Sequence, residues 1–164
     1  MDLKNLKFED KYDRNSLVIQ PYTKRHRDAV EDILEKYTGK ICKAEDHRGQ
    51  NEIIKRILSK EIFSPHASIA AEYGEPMASG RLKGNRITNI WIPLEGEHAA
   101  KMLLSYLEEQ AEVRGIKDVH AYSFLVGSLM DFYSENGYVK ETIRNHPETE
   151  MYLPVMRMKK NLKF

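Results

Sequence analysis

The stretch that decides the fold spans residues 67–109 and reads ASIAAEYGEPMASGRLKGNRITNIWIPLEGEHAAKMLLSYLEE. Its first half alternates apolar and polar residues with a period of two, and turn sequences around Gly74 and Gly84 interrupt the alternation. This pattern predicts three successive antiparallel strands, at 67–73, 77–83 and 87–92. From residue 98 to residue 114 the apolar residues instead follow a helical period. A strand meander therefore leads directly into a long amphipathic helix.

Outside this stretch, short apolar runs and amphipathic segments continue to follow one another. The predicted elements are a strand at 17–21, a helix that Thr23 caps and that runs up to Gly39, a helix at 51–60, a strand at 118–124, a short helix that Ser128 caps and that ends at Gly137, and strands at 138–144 and 152–159. Pro154 predicts an edge or bulged position for the last strand, since proline cannot donate to a central ladder. Segregated runs of strands argue against a doubly wound dinucleotide-binding fold. The order predicts an α/β fold with a mixed, largely antiparallel central sheet of about six to seven strands, flanked by helices.

Length and composition indicate one domain. The 164 residues are 41% hydrophobic and 31% charged, so residues 17–164 are expected to form a single domain after a polar arm at 1–16. The 26 basic and 25 acidic residues leave a net charge of +1, which gives no general attraction to nucleic acid or to an anionic membrane. Cys42 is the single cysteine, and the sequence has neither a membrane-length apolar run nor a basic leader before an apolar region. We therefore expect a cytoplasmic protein without nucleic-acid or membrane partners.

Several catalytic motifs are missing from the sequence. The six histidines show no His-x-x-x-His spacing and there is no cysteine cluster, so no metal site is expected. The sequence also lacks a Gly-x-Ser-x-Gly elbow and a Gly-x-x-x-x-Gly-Lys loop. It therefore gives no case for a serine hydrolase or a P-loop enzyme.

Two segments resemble one enzyme family. The sequence DFYSENGYVKE at 131–141 combines a short helix, a tyrosine, a Gly-aromatic turn and a following strand, and residues 87–109 place a strand-to-helix junction after the meander. Together with the element order over residues 17–160, these segments resemble the GNAT superfamily of N-acetyltransferases. The resemblance implies a GNAT-like fold and direct transfer of an acyl group from acyl-coenzyme A to an amine.

In the GNAT superfamily, the strand before the junction pairs with the pantetheine arm, and the following loop wraps the pyrophosphate in backbone amides. The family's loop pattern has Gln or Arg, two variable residues, a glycine, one variable residue, and a glycine or alanine. Here Gly96 and Ala100 conform to it. The coenzyme-binding residues that the resemblance implies are Ile90, Trp91, Ile92, Gly96, Glu97, His98, Ala99, Ala100 and Lys101. The implied ligand is acetyl-coenzyme A or another acyl-coenzyme A.

Two residues of this loop depart from the family pattern. Glu95 stands at the Gln/Arg position, and His98 stands where a glycine would allow close approach. A phosphate about 4 Å from a carboxylate loses roughly 1 to 4 kcal/mol, depending on the effective dielectric. Acidic residues are also ordinary in the first turn of a helix, where the dipole favours them. The junction is therefore either a coenzyme site or a plain helix start.

The resemblance also implies catalytic residues. Tyr133 stands where the family often has a tyrosine that protonates the coenzyme A thiolate, although an amphipathic core tyrosine would fit the same position. A base for the substrate ammonium is the second requirement. His120 and Glu72 lie on predicted strands at positions that alternate towards the cleft, and the alternatives are a structural histidine and a solvated glutamate.

The leading hypothesis is an N-acyltransferase, in the first place an N-acetyltransferase, that acts on an amine of a small molecule or a protein. The alternative is a noncatalytic GNAT-like domain that senses coenzyme A or serves as a protein-interaction module. By resemblance, the acceptor groove lies near residues 38–50 and 145–151. Acidic residues in both segments would suit a cationic acceptor or simply be solvated: Glu45, Asp46, Glu148 and Glu150. The oligomeric state is left open, because a last strand that exchanges between two chains or pairs across their interface would give a homodimer.

Overall fold

The computed structural model of this chain describes residues 17–88 and 97–162, so the predicted arm at 1–16 lies outside the described residues. The described strands are β1 (Leu17–Pro21), β2 (Ser68–Glu72), β3 (Glu75–Lys83), β4 (Arg86–Thr88), β5 (Asp118–Phe124), β6 (Val139–Asn145) and β7 (Pro154–Asn161). The described α-helices are α1 (Arg27–Ile41), α2 (Asn51–Ile62), α3 (Glu97–Val113) and α4 (Gly127–Glu135).

The seven described strands form one sheet in the order β1-β2-β3-β4-β5-β7-β6. Neighbours pair antiparallel except β4 and β5, which pair in parallel through Arg86 with His120 and Ile87 with Ala121. A tight turn can join antiparallel neighbours, whereas a parallel pair needs a crossover, which α3 supplies here. The predicted α/β fold with a mixed, largely antiparallel sheet is confirmed.

Two hydrophobic cores lie on opposite faces of the sheet. The core under α3 and part of α4 is built from buried side chains that include Ala100, Leu103, Leu104, Leu107, Phe132 and Tyr133. The core under α1 and α2 is built from buried side chains that include Val30, Leu34, Tyr37, Ile54, Leu58 and Ile62. Each helix buries one side because its apolar residues recur at helical spacing.

Strand register decides which face each side chain points to. Ala121 belongs to the α3 core, so its neighbours His120 and Tyr122 on β5 point to the face that α1 and α2 cover. Glu72 pairs across the strands with Leu17, which packs against the α3 core. Glu72 therefore lies on the α3 face.

The last strand is not at the edge of the sheet. β7 lies between β5 and β6, and Pro154 is its first residue. The strand as a whole is therefore interior, but at its Pro154 end, among the described residues, it pairs with β6 only, because the pairing with β5 ends at Val155. Within the described sheet, β6 forms the edge on this side, and all its residues are exposed. Both sides of β7 are paired, so any dimer that forms by strand pairing at this end would use β6.

Two helix ends also differ from the predictions. α1 continues through Gly39 to Ile41, so Gly39 is an interior helical residue that costs about 0.5–1 kcal/mol relative to alanine. α4 begins at Gly127, because the chain leaves the extended conformation at Val126, its N-cap. The predicted Ser128 cap is therefore wrong, and α4 has no side-chain capping bond.

The variant Leu103→Ala is expected to lower the free energy of unfolding by about 2–5 kcal/mol, since Leu103 is fully buried and the change leaves a cavity. Met102→Ala is the matched control on the same helix, because the Met102 side chain is exposed, and a loss below about 1 kcal/mol is expected. Urea unfolding at pH 7 measures both values. Equal losses would contradict the assigned face of α3.

Candidate functional site

The end of β5 presents backbone to the space beside β4. In the described part of the sheet, β4 pairs with β5 only as far as Ile87 and Ala121, while β5 continues to Phe124. On its other side, β5 is paired with β7 along its whole length. Among the described residues, positions 122–124 of β5 therefore have a strand partner on one side only. The Phe124 carbonyl already accepts hydrogen bonds from the Val126 N–H and the Ser123 hydroxyl, and an extended ligand can pair with the other backbone groups at such an edge.

Tyr133 is a buried tyrosine on α4, which follows β5. Its ring packs edge-on against the rings of Phe132 and Tyr138. Burial raises the pKa of Tyr133 above the usual value for tyrosine, so the phenol keeps its proton at neutral pH. Its hydroxyl forms no hydrogen bond with another described residue, although buried tyrosine hydroxyls normally find a partner. The Tyr133 hydroxyl can therefore donate to a ligand.

A second buried tyrosine comes from α1. Burial, and after it the nearby Tyr133 phenol, raise the pKa of Tyr37. Tyr37 belongs to the α1–α2 core and Tyr133 to the α3 core, so the two cores approach each other at this pair. By contrast, the Tyr138 hydroxyl donates a hydrogen bond of 2.8 Å to Glu108 on α3. No local pattern distinguishes Tyr37 in the sequence, because its helical spacing is that of any core residue.

The start of α3 offers backbone amides. The N–H groups of its first turn, which begins with Glu97, have no partner within the helix, and the helix dipole adds positive potential there. Ala99 and Ala100 are fully buried, whereas Lys101 is exposed. Other predicted coenzyme-binding residues lie outside the described residues: Ile90, Trp91, Ile92 and Gly96.

Glu72 and His98 meet at this end of α3. Glu72 Oε2 and His98 Nε2 are 3.4 Å apart, and both side chains are partly exposed. Two carboxylates, from Glu72 and Glu97, therefore lie near the helix start. The contact joins β2 to α3 across 26 positions of sequence, and no local pattern predicts such a pair.

His120 occupies the opposite face of the sheet. Its Nδ1 lies 3.4 Å from Asn85 Nδ2. Burial, and after it the Arg157 guanidinium, lower the pKa of His120, so the ring is neutral at pH 7 and can accept a proton. Because Glu72 lies on the α3 face, the two predicted bases do not form one site.

The loop between β6 and β7 crosses the face that carries His120. Glu148 Oε2 lies 2.5 Å from Arg86 Nη2 and 3.0 Å from Lys83 Nζ, and its Oε1 lies 3.9 Å from Lys60 Nζ. Hydrogen bonds from Arg86 and Lys83 lower the pKa of Glu148 to about 2. A carboxylate that was expected to be available to a cationic acceptor is thus already paired. Arg86 was missed by sequence reasoning because its partner is 62 residues away.

His146 anchors the same loop. Its ring stacks on Phe124, and its Nδ1 accepts a hydrogen bond of 3.1 Å from the backbone N–H of Glu148, which places the ring proton on Nε2. Burial, and after it the Arg86 guanidinium, lower the pKa of His146 to about 4. The neutral ring is therefore a structural support of the loop at pH 7.

His47 ties the α1–α2 linker to the end of β5. Its Nε2 accepts a hydrogen bond of 2.8 Å from Leu125 N–H, and its Nδ1 donates to Gln50 Oε1 at 3.0 Å. Gln50 Nε2 then donates to the Tyr152 carbonyl at 2.9 Å. These bonds bring the linker, the end of β5 and the β6–β7 loop together, so the two predicted groove segments are neighbours in space.

By sequence, no family model and no curated protein matches this chain. Solved structures do match its fold. A GCN5-related N-acetyltransferase from Rhodopseudomonas palustris superposes with a TM-score of 0.71 at 17% identity, over 90% of this chain and 96% of that one. The PaiA N-acetyltransferase from Thermoplasma acidophilum, in complex with coenzyme A, superposes with a TM-score of 0.61 at 15% identity, over 90% and 99%. A probable acetyltransferase from Staphylococcus epidermidis gives a TM-score of 0.62 at 12% identity, over 90% and 99%.

At these identities the likeness shows the fold, and the chain has the GNAT acetyltransferase fold that the sequence predicted.

Two further features concern residues 17–88 and 97–162. No helix there combines the length and the apolar composition of a membrane span. No group of three or more His, Cys, Asp or Glu residues there is arranged to hold a metal ion.

The folded pKa of His146, about 4, lies below its ordinary value of 6.5, so acid is expected to destabilise the protein. Below pH 6.5 the His146 ring is mostly protonated in the unfolded chain, whereas in the folded chain it stays neutral down to about pH 4. Stability is therefore expected to fall by about 2 kcal/mol between pH 6.5 and pH 5 on account of this residue. Glu148 lowers the stability further only below about pH 4.5, where its carboxyl takes up a proton in the unfolded chain.

His146→Asn keeps an acceptor for the Glu148 N–H but removes the titrating ring. Its free energy of unfolding, measured by urea titration from pH 7 to pH 5, is expected to fall with pH by about 2 kcal/mol less than that of the parent. An unchanged pH slope would show that the His146 ring is accessible to protons in the folded state.

Proposed function

We propose that this protein is an acyl-coenzyme A dependent N-acyltransferase, with acetyl-coenzyme A as the first donor to test. The observation that carries the proposal is Tyr133, a buried residue whose hydroxyl forms no hydrogen bond with another described residue, in a chain that has the GNAT acetyltransferase fold. One of the structural neighbours is an acetyltransferase in complex with coenzyme A, which supports this ligand class.

The described residues fit such a ligand in two places. The β4-facing backbone of residues 122–124 can pair with an extended amide-containing arm. The first-turn amides of α3 can hold a phosphate, and Lys101 adds a cation near them. When bound, acyl-coenzyme A supplies the acyl group as a thioester, and the transfer replaces a carbon–sulfur bond by a carbon–nitrogen bond with release of a thiol and one proton.

The chain's own residues then have separate roles. Tyr133 keeps its proton at neutral pH and can donate it to a leaving sulfur. His120 is neutral at pH 7 and can accept the proton that a substrate ammonium must lose. The two side chains belong to opposite faces of the sheet, so donor and acceptor would reach the reaction from different sides. Glu72 is the weaker base candidate because it lies beside His98 at the start of α3.

One observation favours the alternative function, a noncatalytic domain that senses coenzyme A or binds another protein. Glu72 and Glu97 place two carboxylates near the amides that would receive the pyrophosphate. A carboxylate at about 4 Å from a phosphate opposes binding by roughly 1 to 4 kcal/mol.

Calorimetric titration with acetyl-coenzyme A and with coenzyme A tests the proposed function first. Saturable binding is expected, and a ligand at 100 times its dissociation constant is expected to add about 2.7 kcal/mol of stability. Absence of binding at millimolar concentrations would contradict both the proposed enzyme function and the alternative function as a coenzyme A sensor. Binding without thiol release across a panel of amines would favour the sensor.

Tyr133→Phe is expected to lower kcat by about 10²–10⁴-fold with little change in the dissociation constant of acetyl-coenzyme A, because the variant loses the proton donor and keeps the ring. Thiol release with an accepted amine measures kcat. The matched control is Tyr138→Phe, which removes a hydroxyl that is already bonded to Glu108 and leaves the proposed acid intact. A Tyr133→Phe variant that turns over as fast as the parent would exclude Tyr133 as the acid.

A further inference from the structure

A cleft of about 510 Å³ lies between α1 and the beginning of β3. This volume falls within the range of about 300–1,000 Å³ that is usual for small-molecule pockets. Apolar side chains line it from both elements: Ile33, Tyr37, Pro76 and Met77. The cleft shares Gly39, Lys40 and Lys43 with the predicted acceptor-groove segment at 38–50, but no residue of the segment at 145–151 lines it.

Tyr37 connects the cleft to the proposed acid. It lines the cleft, and the Tyr133 phenol is, after burial, a cause of the raised pKa of Tyr37. Ile33 packs against the α1–α2 core, whereas Met77 packs against the α3 core. The cleft therefore lies where the two cores meet, as the pair of tyrosines does. A chain attached to a thioester beside Tyr133 would find this apolar space next to it.

Gly39 leaves one wall of the cleft without a side chain. It lies inside α1, where glycine is less favourable than alanine, and it lines the cleft. A Cβ built at this position meets no heavy atom within 4 Å, so packing does not demand a glycine there. The backbone does not demand one either, because Gly39 has an ordinary helical conformation. What the glycine does is keep the mouth of the cleft open.

The charges around the mouth argue against an amine as the occupant. Lys36, Lys40 and Lys43 line the cleft and form no ion pair with another described residue. Of the two acidic residues that line it, Glu35 is paired with Lys55 of α2, which leaves Glu75. The excess of positive charge disfavours an ammonium group and does not oppose a neutral apolar chain.

We infer that this cleft holds the acyl chain of the donor, so that the protein accepts acyl chains longer than acetyl. The inference rests on the proposed function, because the chain enters as part of an acyl-coenzyme A. Ile33 and Met77 contact the chain, and Met77 can adapt to its length because its side chain is unbranched and flexible. Gly39 determines how long a chain can be before it meets the wall.

The test is a calorimetric series with coenzyme A and its acetyl, butyryl, hexanoyl and octanoyl thioesters. Each methylene that enters the cleft is expected to tighten the dissociation constant by up to about fourfold, which corresponds to about 0.8 kcal/mol. Hexanoyl-coenzyme A is therefore expected to bind at least about tenfold more tightly than acetyl-coenzyme A.

Gly39→Trp places a large side chain at the mouth of the cleft, and the advantage of hexanoyl over acetyl is expected to fall to about twofold or less. Asp32→Trp is the matched control, since it puts the same side chain on an exposed position of α1 outside the cleft. This control is expected to keep the parent's chain-length dependence. Should Gly39→Trp fail to fold by circular dichroism, Met77→Trp narrows the same cleft from β3.

The inference would be supported if the dissociation constant decreases with acyl-chain length in the parent and in Asp32→Trp, and if this decrease is lost in the cleft variant. Equal dissociation constants for all thioesters, or an equal dependence in Gly39→Trp and Met77→Trp, would overturn it while leaving the proposed function standing. Failure of coenzyme A and all its thioesters to bind would overturn the proposed function, and the inference with it.

Discussion

The structure depends on one constraint, the parallel pairing of β4 with β5. Among the described strands, every other neighbouring pair is antiparallel, and the parallel pair is joined by a crossover through α3. Because α3 must cross one face of the sheet, its buried leucines form a core that is separate from the core under α1 and α2. Within residues 17–88 and 97–162, the pairing between β4 and β5 covers two residue pairs, while β5 continues to Phe124. Tyr37 and Tyr133 approach each other from the two cores.

Charge organises the face that α1 and α2 share with the β6–β7 loop. Glu148 forms ion pairs with Arg86, Lys83 and Lys60, and the His146 ring accepts a hydrogen bond from the backbone N–H of Glu148. Arg86 also lies 3.9 Å from Glu61, so loss of Glu148 would leave Arg86 with a carboxylate partner, whereas loss of Arg86 would leave the largely buried Glu148 carboxylate with two exposed lysines. These ion pairs hold the loop against the sheet. An acceptor that enters from this side must therefore compete with three cations for Glu148 or bind elsewhere. The pairing of Glu148 could not be predicted from the sequence, because its partners are far away along the chain.

Periodic segments could be predicted from the sequence, and positions that tertiary contacts decide could not. The strand at 118–124 was predicted to the residue. Gly39 was taken as a helix end because glycine usually stops helices, but the apolar residues on both sides of it pack into one core and the helix continues through it. Pro154 suggested an edge or bulged position for the last strand or for that end of it; β7 is an interior strand, and among the described residues Pro154 itself pairs only with Asn145 of β6.

The candidate site shows the same division. Tyr133 could be predicted because the surrounding sequence 131–141 is a local pattern, whereas the contact of Glu72 with His98 and the approach of Tyr37 required the fold. Glu72 and His120 each sit on a strand with the correct alternation, yet they end on opposite faces, since alternation gives a face only relative to the same strand. Tyr133 and His120 likewise lie on opposite faces of the sheet, one with the core under α3 and the other with the core under α1 and α2, and the crossover of the single parallel pair separates these two cores.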